Sequence, residues 1–486
     1  MENMNEKAKI AIIGGGVAGA TSALYLGQLG LDVTLFEKEK SLISGPPFCH
    51  LHAGGNLYRE ISDAQCITLL KQSIDFLRYY PFIVDYRPTV IAIPTEDRGT
   101  PQDLLPRLDL LAETYETLIQ NDPMNKVLGE SSNYYKLYSS DEIESLRQQP
   151  VVPVPKSSDE WMIPVAKQID LDKVKYPLVL VQEYGLNLFR LASGVTLALK
   201  SLSNVDLKSE SIVSNIQENC PSGSWDVTYV QNDRVQEEYF DYLINAAGFR
   251  SGKIDDLIGV ECKRMVEFKA AYISQWESCC DTLWPEVIFH GERGTPHGMG
   301  QFTPYPDGYF QLHGMTKEIT LYEEGLVSNT PFSCQPHLKQ DFIEKIEKSW
   351  RPEETEKRTR NAIRHLSQYL PAFSKAKVGS KPLFGAQQIP GDDPTLRVAE
   401  VSFPAPRYAR CEIVKVSSVL DMADAIARDL VKCGYLPPSA QHQRNKNSID
   451  ALEEAEVAEY AKEIALSREY PASLAKLTMP KKMSNL

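Results

Sequence analysis

The fifteen residues SGPPFCHLHAGGNLY, from Ser44 to Tyr58, combine two histidines, one cysteine and three glycines. Such side chains can bind a metal ion, pair a nucleophile with its base, or lie against a cofactor. A zinc site needs a fourth ligand, and no ligand-like pair lies near Cys49, His50 and His52, so no metal is expected. A Cys–His hydrolase needs a third group that orients the base, and no motif supplies one. The elements before this cluster must therefore decide its role.

Those elements begin with KIAIIGGGVAGATSALYLGQLGLDVTLFEK, which predicts a strand, a glycine turn, a helix and a second strand ending at Glu37. The turn has the G-x-G-x-x-G spacing that lets a pyrophosphate approach the backbone and the amides of a helix N-terminus. Glu37 can accept hydrogen bonds from the ribose hydroxyls and disfavours a 2′-phosphate. The motif alone leaves FAD and NAD open. The cofactor-binding candidates here are Gly14, Gly16, Val17, Ala18, Gly19, Glu37 and Lys38.

Composition excludes several classes of protein. A net charge of −13 over 486 residues argues against a nucleic-acid partner, because neutralising phosphates needs a basic surface. Nine cysteines without a CxxC motif indicate free thiols in a reducing compartment. Glycines interrupt the apolar N-terminal stretch, and no other segment is long and apolar enough to span a bilayer. We expect a cytoplasmic protein without an integral membrane segment and leave peripheral contact with the inner membrane open.

Further along, NVDLKSESIVSNIQE, SWDVTYV and EEYFDYLINAAG read as short strands separated by polar turns. With the first motif, this pattern resembles the D-amino-acid-oxidase-like superfamily of FAD enzymes. The segments YKLYSSDEIESL, GLNLFRLASGVTLALKSL, MGQFTPYPDGYFQLHG and CEIVKVSSVLDMADAIARDL extend the resemblance over residues 8–434. It implies an α/β fold, in which a mixed α+β substrate domain is inserted into a Rossmann-type, glutathione-reductase-like FAD-binding domain. It also favours FAD over NAD.

The resemblance carries over to particular residues. A strand near Val213 would contact adenine, the NAAG strand would return to the dinucleotide, and Ser417 and Ser418 would precede a helix whose amides stabilise negative charge on the flavin. The LHAGG loop is similar to that of L-2-hydroxyglutarate enzymes and, less closely, to that of dimethylglycine dehydrogenases. This implies that His52 contacts the flavin and leaves a covalent link open. The further cofactor-binding positions are His52, Gly54, Val213, Ala246, Ala247, Gly248, Ser417 and Ser418.

Catalysis by such an enzyme needs a carboxylate anchor and a way to remove a proton from the substrate. Relatives that oxidise 2-hydroxy acids have a histidine base where this chain has Gln301, and an amide cannot act as a base. His297 or His313 could replace it. Arg250 and Arg410 are candidate carboxylate clamps. The catalytic candidates are His52, Gln301, Arg250 and Arg410, with Arg59, Arg293, Tyr305 and Tyr309 as further possibilities.

The pattern divides the chain into a discontinuous FAD-binding domain (1–95, 175–260 and 378–435), a substrate domain (96–174 and 261–377) and a C-terminal helical tail (436–486). The Ser-bearing turn before the last flavin helix is nearest to the malate:quinone and L-2-hydroxyglutarate branch. The favoured function is a 2-hydroxy-acid dehydrogenase that passes electrons to quinone. The alternatives are an amino-acid or secondary-amine oxidase that uses oxygen, and a non-catalytic FAD-binding protein. The oligomeric state stays open.

Overall fold

The fold was analysed in a computed structural model, which describes residues 7–48, 51, 61–219, 223–396, 398–441 and 443–483. Its strands are β1 (Lys9–Ile13), β2 (Asp32–Phe36), β3 (Val84–Asp85), β4 (Thr89–Pro94), β5 (Tyr135–Tyr138), β6 (Val174–Val181), β7 (Gly185–Leu186), β8 (Val205–Lys208), β9 (Ser211–Asn219), β10 (Ser224–Gln231), β11 (Arg234–Phe240), β12 (Tyr242–Asn245), β13 (Arg264–Gln275), β14 (Glu286–Phe289), β15 (Gly300–Pro304), β16 (Tyr309–Gly314), β17 (Leu326–Ser328), β18 (Lys377–Pro390), β19 (Val401–Ala405) and β20 (Tyr408–Cys411).

The helices are α1 (Val17–Gln28), α2 (Asp63–Tyr79), α3 (Leu105–Asn121), α4 (Ser140–Arg147), α5 (Ser158–Gln168), α6 (Leu188–Lys200), α7 (Ser251–Ile258), α8 (Gln340–Glu347), α9 (Pro352–Leu366), α10 (Val419–Lys432), α11 (Asn447–Asp450) and α12 (Glu454–Ser467). The charged run 339–370 forms two helices rather than one. Pro352 is the first residue of α9, where its missing N–H costs nothing and its ring cannot continue a preceding helix. No helix among the described residues is long and apolar enough to cross a bilayer.

The nucleotide-binding sheet has the order β19-β20-β12-β1-β2-β8, and its strands from β20 to β8 are parallel. Parallel strands are covered on both faces, which explains why β1 and β12 are almost wholly apolar and buried. The small sheet β9-β10-β11 packs beside it. This is the predicted α/β architecture with a Rossmann-type β1-α1-β2 unit.

The second large sheet has nine strands in the order β17-β13-β16-β15-β14-β4-β6-β5, with β18 paired to β13. Its β4, β6 and β18 lie in ranges that the sequence assigns to the FAD-binding domain. Their pairing therefore differs from the predicted boundaries, because an apolar run does not say which of two sheets a strand will join. The domain limits themselves remain a proposal.

The two faces of this second sheet differ in chemistry. One face is aromatic: Phe302 stacks on Phe310 with ring centroids 4.1 Å apart, within a core that includes Trp276 and Trp284. The other face contributes Ile91 and residues of β6, β13 and β18 to the core shared with α1 and the nucleotide-binding sheet. The second face is therefore the one that meets the nucleotide-binding domain.

The C-terminal segment, residues 443–483, packs on the body of the protein. Helix α12 lies along α6, where Arg190 donates two hydrogen bonds to Glu454 at 2.7 and 2.6 Å. Beyond the helix, the amide of Met479 donates to Asp85 at 2.6 Å. The segment is thus an integral part of the fold.

Candidate functional site

The glycine turn has the geometry of a phosphate-binding loop. Gly14 has φ +102°, and a Cβ there would lie 2.5 Å from the carbonyl oxygen of Ala246. Only glycine meets both conditions. A Cβ on Gly19 would collide with the Gly14 carbonyl, whereas one on Gly16 would find no atom of the described residues within 4 Å. The turn is therefore closed towards β12 and open above Gly16.

Glu37 lies beside this opening with an exposed fraction of 8%. One of its carboxylate oxygens accepts from the amide of Gly15 at 2.6 Å, and the other accepts from the amide of Glu39 at 2.7 Å. Burial raises the pKa of Glu37, and the two amides oppose that change. Each oxygen keeps a second lone pair that can accept from a ribose hydroxyl.

The start of α1 fits a bound pyrophosphate. Helix α1 begins at Val17 and Ala18, its N-cap is Gly16, and no described side chain caps its first amides. Amides left without a partner at a helix N-terminus bind anions. The open space above Gly16, these amides and the buried acid match the phosphate and ribose of FAD, so the residues present fit this cofactor.

The other cofactor-binding candidates are spread around this turn. Lys38 forms an ion pair with Glu39 at 2.9 Å. Ala246 donates to the carbonyl of Ile13 at 2.9 Å, which brings the NAAG sequence to the glycine turn, and Ala247 and Gly248 follow directly. Val213 lies farther along the chain in β9, paired with β10.

Ser417 and Ser418 are buried at the start of α10, but they do not cap it. The Ser418 hydroxyl donates to Gln72 of α2 at 2.8 Å, so it joins two helices. A direct contact of either serine with FAD remains a proposal.

A row of polar side chains, which we call the polar face, occupies the side of the second sheet that meets the nucleotide-binding domain. It consists of Glu286, Gln301, Thr303, Gln311 and His313. Gln301 lies directly opposite His313, and Thr303 lies opposite Gln311. Polar groups at such a depth are expensive to bury, which marks this face as a candidate substrate site.

Gln301 is held in a buried ionic network. Its side-chain amide donates to Glu286 at 2.6 Å and to Thr303 at 3.1 Å. Glu286 also accepts from Arg87 at 2.7 Å, and Arg87 lies 3.4 Å from Asp85. Arg87 thus holds the Glu286 carboxylate in place, and this carboxylate in turn fixes the orientation of the Gln301 amide.

Gln311 carries a donor without a partner. Its side-chain oxygen accepts from the Tyr305 hydroxyl at 3.1 Å, and the residue is completely buried. Its side-chain nitrogen makes no hydrogen bond to any residue that the structure describes. A buried amide of this kind is suited to an oxygen of a bound ligand. The neighbouring His313 is half-buried, whereas His297 is exposed.

The two candidate carboxylate clamps differ. Arg410 is buried, 3.3 Å from Asp255 and 2.9 Å from Glu412, and although burial disfavours its charge, these acids raise its pKa. Arg250 forms an ion pair with Glu347 at a less buried position. The Arg410 guanidinium is thus already paired with two acids of the protein, and Arg250 is the better placed of the two to bind a substrate carboxylate.

A cluster near Arg410 was not expected from the sequence. The ligand atoms of Asp255, Cys262 and Cys334 lie within 4.8 Å of one another. The guanidinium groups of Arg264 and Arg410 lie 3.4 and 3.3 Å from the same Asp255 oxygen, and two positive charges there disfavour a bound cation.

The predicted roles of His52, Gly54 and Arg59 lie outside the described residues. Gly45 approaches the backbone of Phe384 in β18, and Leu51 is buried with its amide donating to Tyr184 at 3.0 Å. Gly45 thus lies against β18 of the second sheet, and Leu51 lies beside the residue that precedes β7.

Comparisons with known proteins give a family match and a short stretch of similarity to a curated protein. Residues 9–115 match the family of FAD dependent oxidoreductases called DAO. A stretch of 51 residues is 43% identical to cinnamate reductase of Clostridium sporogenes; it spans 10% of this chain and 8% of that protein's length.

The fold is also similar to solved structures at 12% sequence identity and a TM-score of 0.55 in each case. Glycine oxidase from Geobacillus kaustophilus matches over 87% of this chain and 95% of its own. The glycerol-3-phosphate dehydrogenase from Bacillus halodurans, solved with FAD, matches over 97% and 82%. The L-amino acid deaminase from Proteus vulgaris matches over 89% and 95%. The family match and these folds confirm the predicted fold class and FAD as the cofactor.

Proposed function

From the match of residues 9–115 to the DAO family of FAD dependent oxidoreductases, we propose that this chain oxidises a small organic acid, in the first place a 2-hydroxy acid, and passes the electrons to a quinone. The observation that carries the proposal is the polar face. There a histidine lies beside the glutamine that replaces the usual base, next to a buried amide with a free donor.

In this proposal, the residues of the polar face have separate roles in the reaction. FAD, when bound, supplies the hydride acceptor. His313 takes up the hydroxyl proton, since neutral imidazole is a base near physiological pH and the Gln301 amide is not. Gln311 donates its free N–H to a substrate oxygen, and the Glu286–Arg87 pair keeps Gln301 in a fixed orientation.

The direct test is anaerobic reduction of the yellow protein with panels of 2-hydroxy acids and amino acids. Bleaching by hydroxy acids supports the proposal. His313→Asn should slow bleaching at least a hundredfold, in the range of a lost general base, while His297→Asn serves as the exposed control. Faster reoxidation by a soluble quinone than by oxygen identifies the acceptor. Absence of bleaching by either panel supports the non-catalytic alternative.

The carboxylate anchor is Arg250 in this proposal. Arg250→Met should raise KM sharply with a smaller effect on kcat, because a bidentate ion pair with the substrate is lost. Arg410→Met should instead lower stability, because Asp255 and Glu412 lose the nearer of the two guanidinium groups beside them and keep only Arg264. Equal KM values for wild type and Arg250→Met would move the anchor elsewhere.

An amino-acid or secondary-amine oxidase that uses oxygen is the second candidate. The observation in its favour is Gln301, whose amide is committed to Glu286 and cannot remove a proton. An amine can lose its proton to solvent before it binds, so its oxidation needs no base on this strand. Bleaching by amino acids that is unchanged in His313→Asn would favour this candidate.

A further inference from the structure

Arg468 in the C-terminal segment reaches the loop that follows Glu37. Its guanidinium donates to the Ser41 hydroxyl at 3.1 and 2.8 Å, to the Leu42 carbonyl at 2.6 Å and to the Ile43 carbonyl at 3.0 Å. The side chain is largely buried, and this burial lowers its pKa to about 10. Each of its three nitrogens therefore donates to one or two of three consecutive residues.

Those three residues lie on the glycine turn. The amide of Ile43 donates to the Gly15 carbonyl at 3.0 Å, and a Cβ on Gly15 would lie 2.5 Å from the side chain of Leu42. Ile43 has φ 58°, a conformation that is unfavourable for a β-branched residue and persists only where its surroundings hold it. The contacts of Arg468 supply part of that support.

We propose that Arg468 is a positioning residue of the nucleotide site, which holds residues 41–43 against the glycine turn so that the ADP half of FAD can bind. The proposal rests on the assignment of FAD as the cofactor. The carboxylates of Glu37 and Glu39 also lie close enough to act on the Arg468 charge, so the arginine joins the loop and the ribose acid. It makes a remote segment a component of cofactor binding.

Docking of the C-terminal segment does not depend on Arg468 alone. The segment is also held by the bidentate pair of Arg190 and Glu454, and the Tyr470 hydroxyl donates to the Pro382 carbonyl at 2.8 Å. A variant at Glu454 therefore loosens the same segment without touching residues 41–43. This offers a matched control for the loss of Arg468.

The test measures binding of FAD, ADP and FMN to the full-length apoprotein by titration calorimetry, with the urea midpoint as a separate record of stability. Arg468→Met should weaken the binding of FAD and ADP at least tenfold and leave the binding of FMN unaffected. Arg468→Lys should retain part of the affinity that Arg468→Met loses. Glu454→Gln should change the affinity for ADP less than threefold, whatever its urea midpoint. If Arg468→Met does not fold, Arg468→Lys and Ser41→Ala decide by the same comparison.

Equal ADP affinity in wild type and the Arg468 and Ser41 variants overturns the positioning role. So does an equal loss in Glu454→Gln, because the effect is then general loosening of the segment. A wild-type protein that binds neither FAD nor ADP would overturn the cofactor assignment itself. The wild-type titration thus separates the two failures.

Discussion

Replacing Glu37 by alanine would remove an acid that serves both the protein and the cofactor. The amides of Gly15 and Glu39 would each lose an acceptor, at a cost of about 1–3 kcal/mol for a buried donor. FAD would lose at least one hydrogen bond to a charged acceptor, worth about 1.5–3 kcal/mol. Since about 1.4 kcal/mol is a factor of ten, we expect FAD to bind about 10- to 150-fold more weakly.

The assay is titration of the apoprotein with FAD, followed by quenching of flavin fluorescence, together with urea unfolding of the apo form. Glu39→Gln is the matched control, because its exposed side chain pairs with Lys38 while its backbone amide still donates to Glu37. Affinity within threefold of wild type in Glu37→Ala would refute the reasoning, since no ribose contact would then have been lost.

Three further changes test other parts of the structure. Gly14→Ala should abolish FAD binding in a titration, because its φ of +102° and the Ala246 carbonyl leave no room for a methyl group. Burial lowers the pKa of His365, so its contribution to stability is present above the ordinary value of about 6.5 and is lost as the pH falls below that value. His365→Gln should therefore reduce the fall in melting temperature between pH 7 and pH 5. Glu286→Ala should lower the urea unfolding free energy by about 3–5 kcal/mol, because Arg87 stays buried without its closest acid.

The nucleotide site was largely predictable because its signals are local. The turn that runs from Gly14 to Gly19 lies in the same strand–helix–strand unit as Glu37. The backbone geometry of that unit calls for these residue types at these positions. The structure places these residues together with Ala246 as the spacing indicated. The wider family pattern, which depends on many such local segments, also indicated the correct fold class.

The contacts that hold the site together were not predictable in the same way. Arg87 meets Glu286 across 199 positions of sequence, and Arg468 meets Ile43 across 425. Nothing in the composition around an arginine says which distant carbonyl or carboxylate it will reach. For the same reason the sequence could not show that Arg410 is already neutralised by acids, whereas the pairing of β15 with β16 brings His313 beside Gln301.

The hydrogen bonds from Arg468 to residues 41–43 also bear on the order in which the protein is made. Synthesis runs from the N-terminus, so the glycine turn leaves the ribosome more than four hundred residues before the arginine that secures its neighbouring loop. A nascent chain therefore carries an incomplete nucleotide pocket for most of its translation. If Arg468 positions the nucleotide site as proposed, FAD binds with full affinity only after this residue has been made and its segment has packed.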